Sequence, residues 1–328
     1  MTSEQLEARR KLITGTRIGP ICGHPFYFTA FDVWADMKGF TQPAEPSPEM
    51  LLGVDLEQAI VLNCYPRLTG RKTTWGNELV RHPTIPFLAA TPDGYTPGRV
   101  VDSKVVNYFQ RHHWGATIDE IPGAIQTQIM LQMEVCGCEA GDVIALIGSE
   151  TRVYPMQRDR EAAAAMIAIA AHWYRTFIEG DAIPPVPGSD RAARALQQMF
   201  PRNKRPLRSA TSKEQDLLID LAVQRRKERE AVTRKDQLEN LLRLAIGDAD
   251  GLEWPSGKLT WKKAKDTEKI DWQSMALALL THYVKDEAAR KKLLEDYTRV
   301  TPGARRLRFD SRLLKEDAEE EAHAGSAA

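Results

Sequence analysis

The sequence predicts an α/β domain followed by a mainly helical region, on three observations. A predicted β-hairpin over residues 87–106 lies between two helical patterns, 48–62 and 123–136, and precedes two further strand patterns and an Ala-rich helix. A Gly- and Pro-rich run over 180–190 then interrupts regular structure. Beyond residue 210, apolar residues return with helical spacing. Strands that alternate with helices in this way indicate a mixed central sheet with helices on its faces.

The composition sets broad limits on the kind of protein. The chain has 328 residues, 42% of them hydrophobic, which is enough to bury a full core and carry an accessory region. Lys plus Arg and Asp plus Glu both total 45, a balance that neither predicts nor excludes nucleic-acid binding. Cys22, Cys64, Cys136 and Cys138 lack the spacing of a zinc or iron–sulfur site and are expected to be free thiols. With no stretch of membrane-spanning length, we expect a soluble cytoplasmic protein.

Composition shifts divide the chain into four predicted parts. The apolar positions over 217–246 fit either one long helix or a helical hairpin. Basic residues on this stretch indicate either contact with a DNA backbone or a solvated helix face, because acidic residues dilute them. The predicted parts are the α/β domain 1–183, a Pro-rich and basic connector 184–210, a helical accessory region 211–314 with a β-hairpin near 252–263, and a disordered acidic tail 315–328.

The hairpin at 87–106 contains the strongest candidate for chemistry. Side chains alternate between the faces of a strand, so Asp102 and Lys104 project to the same side. Asp93, between Pro92 and Gly94, has the spacing that a hairpin needs to bring it beside Asp102. An isolated Asp-x-Lys on a sheet edge is usually a solvated ion pair, and the second acid makes that interpretation less favourable.

Converging carboxylates repel each other unless a cation neutralises them, so this set favours a hard divalent ion, Mg2+ or Mn2+. Glu57, on the preceding helix, would supply a further oxygen ligand, and Gly53 would let that helix approach the sheet closely. The alternative is an exposed Glu on an amphipathic helix. Lys104 beside the ion would orient or deprotonate a water, or stabilise charge on a phosphate, in phosphodiester hydrolysis. A Gln from the next helix would position that water.

An ordered set of four motifs resembles a known family. The set covers residues 17–178 and is similar to the YqaJ-type viral recombinase nucleases, relatives of the phage lambda exonuclease in the PD-(D/E)xK superfamily. The fold implied is a restriction-endonuclease-like core. The four motifs are Gly53-x-x-x-Glu57 on a helix, His82-Pro83 to Phe87-Leu-Ala-Ala-Thr-Pro-Asp93-Gly94, Asp102-Ser-Lys104, and Gln128-x7-Cys136-Gly137.

The resemblance implies roles for individual residues of the first three motifs. Asp93, Asp102 and the backbone carbonyl of Ser103 would hold the metal ion. Glu57 would complete the ligands, and Lys104 would be catalytic. The cofactor expected is Mg2+, with Mn2+ as a substitute.

Three positions match the family pattern less closely. Asp102 stands where the family usually has Glu, and the shorter side chain shifts the ion. The catalytic glutamine corresponds to Gln128 by its distance from the Cys-Gly pair, with Gln126 as the alternative. Arg17 and the region of Thr29 resemble the segment that contacts the substrate's 5′ phosphate, although a structural Arg is an equally good interpretation.

The resemblance also implies the activity. We expect a Mg2+-dependent exonuclease that resects linear double-stranded DNA ends, 5′ to 3′, for phage-type recombination by single-strand annealing. The implied partners are a single-strand annealing protein and further copies of the chain, which would form a ring by analogy with relatives. The implied location is the cytoplasm of a bacterial host, and the gene would be bacterial or carried by a prophage. The alternatives are an endonuclease that shares the site chemistry and a catalytically silent scaffold that binds DNA ends.

Overall fold

The computed structural model describes residues 9–41, 47–203, 205–267 and 269–299. The chain forms two compact units, residues 1–201 and 202–328. The predicted tail 315–328 lies outside the described residues.

A five-stranded mixed sheet forms the centre of the first unit. The strands of this unit are β1 Thr74–Trp75, β2 Val80–Arg81, β3 Ala89–Ala90, β4 Gly94–Thr96, β5 Arg99–Val106, β6 Ala140–Ile147 and β7 Glu150–Gln157. The order in the five-stranded sheet is β1-β4-β5-β6-β7, and within this sheet only β5 and β6 pair in parallel, with Asp102 opposite Val143. The remaining two strands, β2 and β3, pair in a small separate sheet.

Helices flank this sheet. The helices of this unit are α1 Gly15–Ile21, α2 Ala30–Met37, α3 Pro48–Ala59, α4 Tyr65–Thr69, α5 Gly123–Cys136, α6 Arg160–Trp173 and α7 Asp190–Met199. Helix α3 continues through a π-helical segment, Ile60–Cys64, into α4, and α6 continues into a second π-helical segment, Tyr174–Glu179. Two 3₁₀ turns, Tyr108–His113 and Ile118–Glu120, connect β5 to α5.

Two apolar clusters cover the two faces of β5. Val100 belongs to the main core, which includes Ile129 of α5, whereas Val101 packs with Val61 and Tyr65 of the segment that follows α3. Both valines are fully buried. The two-residue alternation predicted for this strand is therefore present, and it separates an α5 side from an α3 side.

The predicted hairpin differs from the observed one at its first strand. Strand β4 begins after Asp93 and pairs with β5 from Gly94 to Thr96, with the turn at Pro97 and Gly98. Residues Ala89–Ala90 pair instead with β2. Pro92 explains the break, because it has no N–H to donate to a ladder. Asp93, expected near the end of the first strand of the hairpin, therefore lies immediately before that strand.

The second unit contains one long helix and a β-hairpin. Of the two interpretations of 217–246, the single helix is correct, and Thr211 and Glu214 form a capping box at its start. The hairpin predicted near 252–263 is confirmed. The elements are α8 Ser212–Ile246, β8 Gly251–Trp254, β9 Gly257–Thr260, α9 Trp272–Tyr283 and α10 Glu287–Tyr297.

The domain boundaries proposed from the sequence stay predictions. Within the predicted connector 184–210, α7 is regular and buries Ala192 and Ala195 in the main core of the first unit. Across the described ranges, no helix combines the length and apolarity that crossing a bilayer requires.

Candidate active site

Asp102 is the buried centre of a hydrogen-bonded group on β5. Its side chain is only 2% exposed. Oδ1 accepts hydrogen bonds from Gln128 Nε2 at 2.8 Å and from Gln132 Nε2 at 2.7 Å, both on α5. Oδ2 accepts a hydrogen bond from the ammonium group of Lys104, with which it forms an ion pair. Three donors thus stabilise the carboxylate and fix its orientation.

Asp93 reaches the same strand through Ser103. Its Oδ2 accepts hydrogen bonds from the Ser103 N–H at 2.7 Å and from the Ser103 hydroxyl at 2.8 Å. Burial and the negative charge of Asp102 raise the pKa of Asp93 to about 6, although Lys104 and Ser103 oppose the rise. The structure therefore brings the two acids together, with Asp93 bonded to the residue that follows Asp102.

Lys104 lies among the acids. Besides Asp102, its ammonium group donates to the Ser103 carbonyl at 3.2 Å. Burial alone would lower the pKa of Lys104, but the charges of Asp102, Asp93 and Glu57 outweigh it and raise the pKa. Lys104 is consequently a cation at neutral pH in this arrangement, which suits it to stabilising negative charge.

Glu57 belongs to the same electrostatic group. Burial, followed by repulsion from Asp93, raises its pKa to about 7, and the charge of Lys104 opposes this. The predicted reason for Gly53 is wrong, because a Cβ there would lie 4.0 Å from Val105 Cβ, an ordinary contact. Helix α3 packs beside β5 without requiring a glycine at this position.

Of the two glutamines considered from the sequence, Gln128 is the one that contacts Asp102. Gln126 points away and donates to the Ile121 carbonyl at 2.9 Å. A Cβ on Gly15 would lie 2.8 Å from Gln128 Cγ, so α1 packs directly behind this glutamine. Gln132, which also contacts Asp102, is not among the residues predicted from the sequence. Its spacing from Gln128 was the available signal, because residues four apart share a helix face.

The two predicted phosphate ligands have structural contacts. The Arg17 guanidinium donates to the carbonyl oxygens of Arg9, Arg10 and Leu12, at 3.0, 2.8 and 2.7 Å, and pairs with Asp36. Its side chain is 15% exposed.

Thr29 is the N-cap of α2: its hydroxyl accepts from the Asp32 N–H and donates to the Asp32 carboxylate. Within the described ranges, the side-chain hydrogen bonds of Thr29 are with Asp32 and not with the acids of the site. Substrate binding by Arg17 and Thr29 stays a prediction.

The donor chemistry fits a hard divalent cation. Among the described residues, no three His, Cys, Asp or Glu side chains are grouped closely enough to hold a metal ion. Mg2+ does not require such a cage, because it usually takes one or two carboxylates and keeps several waters or substrate oxygens. Burial, and after it the negative charge of neighbouring acids, raises the pKa values of Asp93 and Glu57, and a bound cation would relieve the repulsion between these acids.

The predicted mixed sheet flanked by helices is confirmed. An acid–acid–lysine group on such a sheet is the arrangement that the resemblance to the PD-(D/E)xK nucleases implies. The model of the family described as YqaJ-like viral recombinase domain matches residues 4–139. The resemblance drawn from the sequence is therefore confirmed for this segment, which contains all the candidate site residues.

Individual proteins that resemble the chain share a quarter or less of their aligned residues with it. The chain is 25% identical over 258 residues to the uncharacterized protein YqaJ of Bacillus subtilis, covering 75% of this chain and 79% of that protein. An alkaline exonuclease from Laribacter hongkongensis, solved with dAMP, is 19% identical, with 54% of this chain and 93% of that chain covered and a TM-score of 0.45. A phage-related exonuclease from Haemophilus somnus is 14% identical, with 51% and 95% covered and a TM-score of 0.40.

Proposed function

We propose that the chain is a metal-dependent deoxyribonuclease that resects the ends of linear double-stranded DNA, 5′ to 3′, for recombination by single-strand annealing. The observation that carries the proposal is the group on β5. A buried carboxylate, Asp102, is held by two glutamines and a lysine, and a second acid, Asp93, is bonded to the adjacent Ser103. The match to the viral recombinase family supports recombination as the context.

Each side chain has a proposed role in hydrolysis. Asp93, Asp102, the Ser103 carbonyl and Glu57 are the proposed ligands of Mg2+, with Mn2+ as a substitute. When bound, the ion supplies Lewis acidity toward the phosphate and a lowered pKa for a bound water.

Lys104, a cation here, is placed to stabilise negative charge on the phosphate oxygens. Gln128 orients the Asp102 carboxylate through a 2.8 Å hydrogen bond, and Gln132 does so from one helical turn further on.

The wider assignments extend the same proposal. Processive resection fits a homo-oligomer that encloses DNA, and a ring with cyclic symmetry would do so. An annealing protein would receive the single strand that resection leaves. A cytoplasmic location, in a bacterial host or encoded by a prophage, completes this proposal.

End-labelled linear duplex, with either a 5′ phosphate or a 5′ hydroxyl, tests activity, direction and end recognition together. The protein with Mg2+ should shorten this DNA and leave covalently closed circles intact. Asp102→Asn and Lys104→Met should bind DNA but cut it at least about 100-fold more slowly, because each removes a charge from the reacting centre. Glu57→Gln should also slow cleavage, because it removes a proposed ligand of Mg2+. Asp55→Asn, which replaces an exposed acid on the same helix, is its matched control and should leave cleavage unchanged.

The two alternatives give different results in these experiments. Cleavage of closed circles would favour an endonuclease. Failure to bind Mn2+ in a calorimetric titration, with DNA-end binding retained, would favour the silent scaffold. Full activity in both the Asp102 and the Lys104 variants would contradict the proposed site itself.

A further inference from the structure

Three exposed aromatic rings lie next to the candidate active site. Tyr27, Tyr108 and Phe109 have exposed fractions of 63%, 53% and 84%, and we call them the aromatic surface. Two of them stand on the 3₁₀ turn Tyr108–His113, which follows β5 after a single residue. Only three residues, Val105 to Asn107, separate Tyr108 from Lys104 in the chain.

The turn holds its rings in fixed positions. The Asn107 side chain accepts a hydrogen bond from the Phe109 N–H at 3.0 Å. The Arg111 guanidinium lies 4.5 Å from the centre of the Tyr108 ring. A Cβ on Gly148 would be 3.1 Å from Tyr108 Cδ2, so the turn between β6 and β7 supports this ring. The exposure of Phe109 is thus set by the backbone of a capped turn.

Tyr27 comes from a different part of the chain and contacts the turn. Its hydroxyl lies 3.5 Å from Gln110 Oε1 on the turn. The Phe26 ring lies 4.5 Å from the Tyr27 ring and 5.9 Å from the His113 ring, measured between ring centres. These contacts join Tyr27 to the turn that begins two residues after the end of β5, the strand that carries Asp102 and Lys104. The aromatic surface therefore adjoins the candidate active site.

We propose that the aromatic surface stacks with an unpaired nucleobase of the strand whose backbone occupies the candidate active site. Planar rings stack on any base, because every base has a π-face. Duplex DNA hides these faces except at its ends and in unpaired strands. The Arg111 guanidinium, which lies over the Tyr108 ring, supplies positive charge that suits the attached phosphates.

This inference rests on the proposed nuclease function and narrows its substrate. It requires the terminal base to leave its partner before or during cleavage. A second copy of the chain, packed over Phe109, is the alternative occupant of the aromatic surface. The experiment that follows distinguishes a nucleobase from a second copy.

The test measures binding of a fluorescently labelled oligothymidylate and of an otherwise identical abasic strand by anisotropy, with Ca2+ in place of Mg2+ and strand integrity checked on a gel. Phe109→Ala should raise the Kd for the base-containing strand about 5- to 150-fold, as expected for the loss of ~1–3 kcal/mol of stacking. The Kd for the abasic strand should change less than about twofold, because its phosphates are the same. Phe109→Trp should restore binding.

Tyr297→Ala, which removes a ring that is 85% exposed in the second unit, is the control and should leave both affinities unchanged. Unchanged affinity in Phe109→Ala, or an equal loss on both strands, overturns the inference. A change in sedimentation of free Phe109→Ala without a change in DNA affinity also overturns it, in favour of a second copy. A wild-type protein that neither binds these strands nor cleaves duplex DNA would overturn the proposed function as well. Normal cleavage with unaltered binding by Phe109→Ala would remove the stacking inference alone.

Discussion

Replacing Ser103 with Ala would test how the two acids of the site are linked. The substitution removes the hydroxyl that donates to Asp93 Oδ2 at 2.8 Å. It keeps the backbone N–H that donates to the same oxygen at 2.7 Å and the carbonyl that accepts from Lys104. Ser103 is buried, and alanine fits within its volume. The change therefore isolates one hydrogen bond to Asp93.

The size of the effect follows from the state of Asp93. A hydrogen bond to a charged group contributes ~1.5–3 kcal/mol, and the lower end applies because Asp93 is only partly buried. If the ionised carboxylate loses ~1.5 kcal/mol of stabilisation, the pKa of Asp93 rises by about one pH unit. Because the pKa of Asp93 is about 6, the carboxyl is mostly ionised at pH 6.5 in the wild type and mostly protonated in the variant. The ionised fraction falls about threefold at that pH and hardly changes at pH 8.5.

Metal binding reports this difference, since a carboxyl must lose its proton to become a ligand. In a calorimetric Mn2+ titration, Ser103→Ala should raise the Kd about threefold at pH 6.5 and leave it nearly unchanged at pH 8.5. In the wild type, Mn2+ affinity should rise from pH 5.5 to pH 8, as Asp93 and then Glu57, with pKa values of about 6 and about 7, lose their protons. An equal loss at both pH values, or none at pH 6.5, would refute the reasoning.

Two further substitutions test packing around the site. Gln132→Met should change the free energy of unfolding by less than ~2 kcal/mol, because it removes both a hydrogen bond to Asp102 and an amide oxygen that is buried without a partner among the described residues. The variant should still slow DNA cleavage, because Gln132 no longer orients the Asp102 carboxylate. Urea denaturation measures the effect on stability and a nuclease assay measures the effect on cleavage; a normal cleavage rate would contradict the role of Gln132 in positioning Asp102. Gly94→Ala should destabilise the fold by ~1–3 kcal/mol, because its Cβ would lie 2.4 Å from Val61 Cγ1. Gly188→Ala, with nothing within 4 Å of its Cβ, is the matched control, and equal stability of the two would refute the packing argument.

Local patterns in the sequence determined much of the fold. Helix α5 has the bounds predicted for it, and the strands predicted at 142–148 and 151–156 are β6 and β7, each end within two residues, because periodicity and turn residues are local signals. The hairpin β8–β9, predicted near 252–263, spans 251–260. Placement of Asp102 and Lys104 on one face followed from the two-residue repeat of a strand alone.

Tertiary packing decided the rest of the site. Gln132 and Asp102 are 30 residues apart, and only the packing of α5 against β5 brings them together. The contacts of the Arg17 guanidinium with backbone carbonyls likewise depend on how the chain before α1 folds back. The sequence by itself determined which charged residues share a strand. Only the folded chain decided which atoms they contact, because hydrogen bonds between distant elements depend on packing that no local pattern encodes.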